Sequence, residues 1–459
     1  MNTAVKVKKF AGIDVAPDLS RTNFFFLYLN TLFIGMLMVM VAIIQPAFLK
    51  DVLNVSPDFF GSINGFLQNM SQIATLAFVG IVGVISDKVG RKILAIIGFV
   101  VLAVFYYVYG MSHEIAAVLN VPAGFSSQIC ALLSFAPSRA AEFTDFAPGL
   151  LVAYIIRLIV GIGMILCYPQ FITMVADYTR EQDRGKGMAL NGMMMGLASI
   201  LIFAIIAPIT PTLGVDGLFA LASAIAIVGV IGTLLFLKER LPDTKKKGSK
   251  GLREIFPIVM RSPALKSSYL CSLIGRADIT VMATFMIAWA VQEGGKLQLA
   301  SEVATKKGAI PMIVFSLTSL LAFPFIGILL DKWGRLSTIM LTLMIAGVGF
   351  LWVAICPGPF SGVIYVAVGI VGFGIAGSIA GANTLAADAS PKALVGSVLG
   401  GLNTMQPIGM IFFLQVGGYL YDVLGPGWAF GLKGVADIVL VIWLLTMKKK
   451  IDAEINNRA

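Results

Sequence analysis

The chain has 459 residues, of which 58% are hydrophobic and only 13% are Asp, Glu, Lys or Arg; soluble globular proteins carry about 25% charged residues. A mean hydropathy of +0.91 is too high for one ordinary core, which excludes a soluble enzyme, a fibrous protein and a disordered chain. The composition therefore predicts an all-α polytopic membrane protein. We assign the net charge of +10 to loops beside a lipid bilayer and not to nucleic-acid binding.

Twelve apolar runs follow one another along the chain, and each is long enough to cross about 30 Å of hydrocarbon as a helix. Backbone groups in hydrocarbon must bond within their own segment, so these runs are predicted to be helices. We number them spans 1 to 12, at residues 24–49, 59–86, 93–112, 149–176, 188–207, 217–237, 264–292, 308–330, 337–356, 362–387, 396–420 and 427–447.

The loops between the spans predict how the chain is organised. We expect a cytoplasmic N-tail, a six-helix bundle, a cytoplasmic linker, a second six-helix bundle and a cytoplasmic C-tail, at residues 1–23, 24–237, 238–263, 264–447 and 448–459. A long outer loop, 113–148, interrupts the first bundle. Its mostly apolar stretch, 126–136, has two interpretations: a segment at the membrane interface or over the entrance, or a disordered insertion.

The distribution of basic residues predicts the orientation in the membrane. Of the 34 Lys and Arg residues, 26 fall in the two tails and the loops on their side, and 5 fall in the loops on the other side. By the positive-inside rule, both termini face the cytoplasm. The basic run Lys245–Lys247 in the linker is interpreted as a solvated stretch beside the anionic leaflet. The first 23 residues have no signal-peptide pattern, and the short tails favour a prokaryotic cytoplasmic (inner) membrane.

A short motif occurs twice, after span 2 and again after span 8. Both copies follow the pattern G-x3-D-K-x-G-R. An aspartate also closes span 4 and another closes span 10, at Asp177 and Asp388. The motif residues are Gly83, Asp87, Gly90, Arg91 and Lys92 in the first copy, and Gly327, Asp331, Gly334 and Arg335 in the second.

With this pair of motifs the chain resembles the major facilitator superfamily of secondary transporters over roughly residues 22–450. Spans 4 and 5 add a second pattern of the family, with Arg157, Gly161, Gly163, Pro169, Asp177, Arg184, Gly185 and Gly192. The resemblance implies two pseudo-symmetric bundles, with spans 1, 4, 7 and 10 around a central cavity, and transport by alternating access. It also implies that the repeated motif gates the inner face of the protein.

The residue types of the motif fit that role. The second glycine of each copy permits a tight turn, and the first lets a neighbouring helix approach closely. Each motif aspartate ends its helix where a carboxylate can meet the positive N-terminal end of another helix. Arg91 is expected to reach Asp177, and Arg335 is expected to reach Asp388. A static clamp that only secures helix packing is the alternative to gating.

Ionisable residues inside spans cost at least roughly 2.5–3.5 kcal/mol near the centre, so each is expected to serve a pathway or a pair. Arg157 in span 4 shares a helix face with two tyrosines, and Arg276 in span 7 shares a helix face with two threonines. An arginine in a cavity can hold a carboxylate or phosphate; for Arg157 a structural role at a helix break is equally open. The predicted substrate-cavity residues are Arg157, Arg276, Tyr154, Tyr168, Gln170, Thr280 and Asn383.

Asp278 in span 7 points away from Arg276, because residues two apart on a helix face nearly opposite directions. Span 12 offers Lys433 and Asp437, which are four apart on one face. Two interpretations of Asp278 remain open: a structural ion pair with Lys433, or a carboxylate that carries a coupling proton.

These observations predict a secondary active transporter of a small, anionic solute, by symport or antiport and with proton coupling as a possibility. Efflux of a lipophilic or cationic compound, with Asp278 as the acid, is one alternative; a non-transporting sensor or assembly factor is another. No catalytic or metal-binding arrangement and no phosphate-binding glycine loop occurs in the sequence. We therefore expect no enzyme activity, no cofactor and a monomer in the bilayer.

Overall fold

The computed structural model describes residues 9–16, 18–240, 252–391 and 394–456. Each of the twelve apolar runs lies in a helical stretch, which confirms the all-α polytopic fold. Within those described ranges, eleven helical stretches are long and apolar enough to cross a membrane. The number is eleven because spans 5 and 6 belong to one stretch of 53 residues, Arg184–Phe236. That stretch turns at Gly214, where φ is 65°.

The elements are two short strands and a series of helices. The strands β1 and β2 form an antiparallel hairpin before the first helix, at Lys9–Phe10 and Ile13–Asp14. The α-helices are α1 Arg21–Ala47, α2 Phe60–Val89, α3 Arg91–Gly110, α4 Ser112–Val118, α5 Ala123–Leu133, α6 Ala147–Tyr178, α7 Arg184–Leu201, α8 Thr210–Phe236, α9 Leu252–Arg261, α10 Pro263–Gly275, α11 Ala277–Lys296, α12 Ser301–Lys332, α13 Arg335–Ile355, α14 Gly362–Asp388, α15 Val395–Leu424 and α16 Gly427–Asn456.

The described residues group into two compact units. The first unit takes its residues from Met1–Ile44, Ala74–Val121 and Pro148–Lys245, and the second from Gln45–Ile73, Pro122–Ala147 and Lys246–Ala459. One boundary between the two units falls within the linker, but the end of α1 and the start of α2 also belong to the second unit. The basic run Lys245–Lys247 lies outside the described residues.

In the first unit, α3 packs against α8 and α6. A Cβ atom on Gly98 would lie 2.7 Å from the carbonyl oxygen of Gly163, so glycine is required where α3 crosses α6. The hairpin is tied to the loop before α7, because the backbone N–H of Asp14 donates to Asp183 Oδ2 at 3.0 Å. Hydrogen bonds from Lys186 and from this N–H hold the pKa of Asp183 below its usual range.

In the second unit, α13 packs between α14 and α16, and α12 packs along α14. Residues Pro122–Ala147 of the outer loop also belong here, and they contain α5 and the 3-10 helix Pro137–Phe143. Phe143 is fully buried, with its ring 4.3 Å from the ring of Phe59. The hypothesis of a disordered insertion at 126–136 is therefore wrong, because this segment buries side chains such as Cys130.

Two boundaries differ from the sequence-based expectation. Span 7 is not one helix: α10 ends at Gly275 and α11 begins at Ala277, with Arg276 between them. The last helix continues past residue 447 to Asn456, because its polar last turns can remain helical after leaving the apolar segment.

Candidate functional site

The first copy of the repeated motif forms a tight turn between α2 and α3. Gly90 has a φ of 106°, which favours glycine, and it directly precedes α3. Arg91 is only 3% exposed and forms an ion pair with Asp177 on α6. Its guanidinium also lies 3.7 Å from Asp87, whose side chain is 74% exposed. The structure thus brings Arg91 and Asp177 together, while Asp87 faces outward.

Residues just after span 6, which the sequence did not predict, complete this cluster. The backbone N–H of Lys92 donates to Glu239 Oε2 at 2.8 Å, so a carboxylate caps the first turn of α3. The Lys92 ammonium donates to the Leu234 carbonyl oxygen at 2.9 Å. Arg240 donates to the carbonyl oxygen of Asp177 at 2.8 Å. No local signal in the sequence marks Glu239, because its partner is a backbone N–H group.

The second copy has the same turn in a more open setting. Gly334 has a φ of 84° and precedes α13. Arg335 donates to Asp388 Oδ2 at 2.5 Å and lies 3.7 Å from Asp331. The side chains of Arg335 and Asp388 are 32% and 41% exposed. The structure brings this predicted pair together near solvent.

The first glycine of each copy does not meet its expectation in this conformation. A Cβ atom on Gly83 or Gly327 would meet nothing within 4 Å among the described residues. Among the described residues, no neighbouring helix therefore approaches either glycine closely, so the close helix packing expected at these glycines is not observed.

The predicted cavity residues of the first unit are mostly buried. Arg157 on α6 is 2% exposed. It lies close enough to Tyr106 and Tyr109 on α3 for its charge to interact with their hydroxyl groups. The Tyr106 hydroxyl donates to the Leu37 carbonyl oxygen at 2.6 Å, which links α3 to α1. The sequence did not predict a role for these two α3 tyrosines, because they lie within the apolar run of span 3. The remaining predicted residues on α6 are the buried Tyr154 and Gln170 and the half-buried Tyr168.

In the second unit, a small cleft with a volume of about 10 Å³ lies at the break in span 7. Arg276 stands at the break, and the predicted residue Asn383 on α14 lies at the same cleft. Thr280, one turn beyond the break, donates its hydroxyl to Met410 Sδ at 3.7 Å. The cleft is lined by Cys271, Ser272, Arg276, Ser378, Ala382, Asn383 and Gln406.

A buried cluster of charges lies nearby on α11 and α16. The Lys433 ammonium contacts the carboxylates of both Asp278 and Asp437, and all three side chains have no exposed surface. The same ammonium lies 5.4 Å from the ring centres of Phe350 and Phe413. The predicted Asp278–Lys433 contact is therefore present, and Asp437 makes it a triad with two carboxylates and one ammonium.

The start of α2 packs on α15 and α11 through polar contacts inside the second unit. Asp422 at the end of α15 accepts the backbone N–H groups of Gly61 and Ser62, at 2.6 and 2.8 Å. One turn along α2, the Asn64 side chain donates to the Thr284 carbonyl oxygen at 3.0 Å. Asp422 satisfies donors that α2 cannot satisfy within itself. Asp422 was not predictable from the sequence, because its partners are backbone groups far away in the chain.

Comparison with known proteins assigns the chain to a protein family. The family model described as Major Facilitator Superfamily matches residues 27–301 and 299–458. The chain is 26% identical over 424 residues to the magnetosome protein MamH of Paramagnetospirillum magneticum, covering 92% of each chain.

Solved structures share the fold. The nucleoside transporter NupG superposes with a TM-score of 0.65 at 13% identity, covering 93% of this chain and 99% of that chain. A D-xylose–proton symporter superposes with a TM-score of 0.64 at 15% identity, covering 92% of this chain and 97% of that chain. At these identities the likeness concerns the fold alone.

Proposed function

Because the chain belongs to the Major Facilitator Superfamily, we propose that it is a secondary active transporter of a small anionic solute that works by alternating access. As a multi-pass member of this family, it moves a solute across a membrane. We further propose that the membrane is a prokaryotic cytoplasmic membrane with both chain termini on its cytoplasmic side.

The observation that carries the anionic class is the cleft at the break in span 7. Its only charged lining residue among the described residues is Arg276, and the other polar groups there are serine hydroxyls, a thiol and the amides of Asn383 and Gln406. A guanidinium with neutral hydrogen-bonding groups around it favours a carboxylate or phosphate group, which it can hold with two parallel hydrogen bonds. A cation would meet only repulsion from this charge.

The experiment is solute uptake by reconstituted protein in liposomes, screened over a panel of anions and neutral or cationic compounds. We expect Arg276→Ala to lower uptake of the accepted anion at least tenfold and Arg276→Lys to lower it less, because lysine keeps the charge but loses the planar fork. Arg261→Ala is the matched control, since it removes an exposed positive charge from α9. Unchanged anion uptake in Arg276→Ala would refute the anionic class.

The buried triad supports proton coupling. If all three side chains of the triad were charged, the site would carry a net negative charge without any exposed surface. Such a charge is unfavourable by several kcal/mol, which is on the order of the penalty for a buried unpaired ion. One bound proton, shared between the two carboxylates, makes the triad neutral. A conformational change that hydrates the triad releases that proton, which gives a coupling step.

Separate variants distinguish this role from a static bridge. Asp437→Asn leaves a neutral Asp278–Lys433 pair, so we expect the protein to fold and to exchange labelled solute, but to lose accumulation driven by a pH gradient. Asp216→Asn removes an exposed carboxylate near the start of α8 and serves as the control. If Asp437→Asn accumulates solute as the parent does, the triad is a bridge only.

A further inference from the structure

A groove on the surface of the second unit is separate from the cleft and from the triad. It has a volume of about 460 Å³ and lies between α12, α13 and α14. Its Thr318 hydroxyl donates to the Val314 carbonyl oxygen at 2.8 Å and so presents no free donor. The groove is lined by Val314, Thr318, Leu321, Ala322, Phe325, Ile345, Tyr365, Val366, Gly369, Ile370 and Phe373.

The groove opens toward the lipid side of membrane-spanning helices. Leu321, Phe325 and Val366 on its walls are 65%, 62% and 55% exposed, as is expected of side chains that face hydrocarbon. An apolar groove of this size does not hold water favourably, because water there would lack polar partners. Hydrocarbon chains of the bilayer are the apolar molecules that surround it.

A glycine makes room for the groove. A Cβ atom on Gly369 would lie 3.7 Å from side-chain atoms of Val314 and Thr318, which is ordinary contact, so alanine fits and a longer side chain would fill the space. One turn further, a Cβ atom on Gly372 would overlap the Thr318 hydroxyl. The helices α12 and α14 therefore touch at Gly372 and separate at Gly369.

Positive charge lies at one end of the groove. Lys307 is seven residues before Val314 on α12, so both lie on the same face of the helix. Its ammonium is 5.8 Å from the ring centre of Phe360, and the neighbouring Lys306 is also exposed. With Glu302 one turn earlier, this end keeps a net positive charge. The orientation proposed above puts it on the outer side, where basic residues are few.

We propose that this groove binds an anionic phospholipid of the outer leaflet, with one acyl chain along α12 and α14 and the phosphate beside Lys306 and Lys307. The apolar lining supplies the affinity for the chain. The two ammonium groups supply a preference for an anionic headgroup over a zwitterionic one, because each attracts the negative charge at the membrane surface. The site does not depend on the identity of the transported solute.

The test is native mass spectrometry of the purified full-length protein after delipidation, with added phosphatidylglycerol or phosphatidylcholine. We expect the parent to retain phosphatidylglycerol in preference to phosphatidylcholine. Gly369→Leu should lower the bound fraction of both lipids about tenfold, whereas Gly369→Ala should bind as the parent does. Gly80→Leu is the control, because Gly80 lies on α2, outside the groove, and a Cβ atom there meets nothing within 4 Å.

A second pair of variants tests the headgroup. Lys306→Gln together with Lys307→Gln should remove the preference for phosphatidylglycerol and leave phosphatidylcholine binding unchanged. Equal lipid retention by Gly369→Leu and the parent would overturn the groove as the site and indicate annular lipid only. Equal retention of the two lipids by the parent would overturn the anionic headgroup. None of these readouts requires transport, so failure here is distinguishable from failure of the proposed function.

Discussion

The two copies of the repeated motif share the G-x3-D-K-x-G-R pattern and the same glycine turn, but they have different surroundings. In the first copy Arg91 has a nearly inaccessible side chain and binds Asp177, and Glu239 caps the helix that follows. In the second copy Arg335 and Asp388 are about one third and two fifths exposed. Among the described residues, no carboxylate accepts a hydrogen bond from the backbone N–H groups that begin α13. The shared pattern therefore does not mean that the Arg91–Asp177 and Arg335–Asp388 pairs stabilise the fold equally.

The physical reason lies in the solvation of the charges. Removing one partner of a buried pair leaves the other charge without water and without its counterion. An exposed pair loses much of its attraction to solvent screening, and water replaces a missing partner. We therefore interpret the first copy as a firm link between α2–α3 and α6, and the second as a weak contact that forms and breaks readily.

The largest expected effect comes from removing each arginine in turn. Arg91→Ala should lower the free energy of unfolding by about 3–5 kcal/mol, the range for breaking a buried pair. Arg335→Ala should lower it by at most about 1 kcal/mol. Thermal unfolding of both variants in the same detergent checks the difference. Equal losses would show that burial does not separate the two copies.

Much of the fold could be predicted from the sequence because hydrocarbon imposes a simple rule. Helices are the only way for these apolar runs to satisfy their backbone groups, so all twelve runs are helical. The pairs Arg91–Asp177 and Arg335–Asp388 were predictable for a similar reason, since a repeated motif and a repeated aspartate limit the partners. The contact of Asp278 with Lys433 was predictable because few charges occur inside spans.

What the sequence did not predict depends on contacts that leave no local pattern. The break at Arg276 occurs in an apolar run without proline, and it determines which residues line the cleft. Glu239 and Asp422 bind backbone N–H groups, which every residue but proline carries, so nothing in the sequence marks the partner. The exposure of Arg335 relative to Arg91 likewise follows from packing around the motif and not from the motif itself.

A smaller effect tests the cap that distinguishes the first copy. Glu239→Ala removes the carboxylate from the start of α3, and we expect a loss of about 1 kcal/mol, as for other helix caps. Glu454 is the matched control in the second unit, because it accepts the N–H of Ala264 at the start of α10. Hydrogen exchange should then show faster opening of the first turn of α3 in Glu239→Ala and of α10 in Glu454→Ala. Faster exchange at α13 in Glu454→Ala would contradict this division.

The smallest effect is the response of each pair to salt. The Debye length falls from about 30 Å at 0.01 M salt to about 3 Å at 1 M, and exposed charges lose their attraction over that range. The destabilisation by Arg335→Ala, about 0.5 kcal/mol at low salt, should therefore shrink toward zero at high salt. The destabilisation by Arg91→Ala should stay nearly constant, because ions do not enter between Arg91 and Asp177. Melting temperatures of the parent and both variants at the two salt concentrations measure this difference. A salt response of equal size in both variants would mean that water reaches Arg91 as freely as Arg335, and the firm link assigned to the first copy would then be wrong.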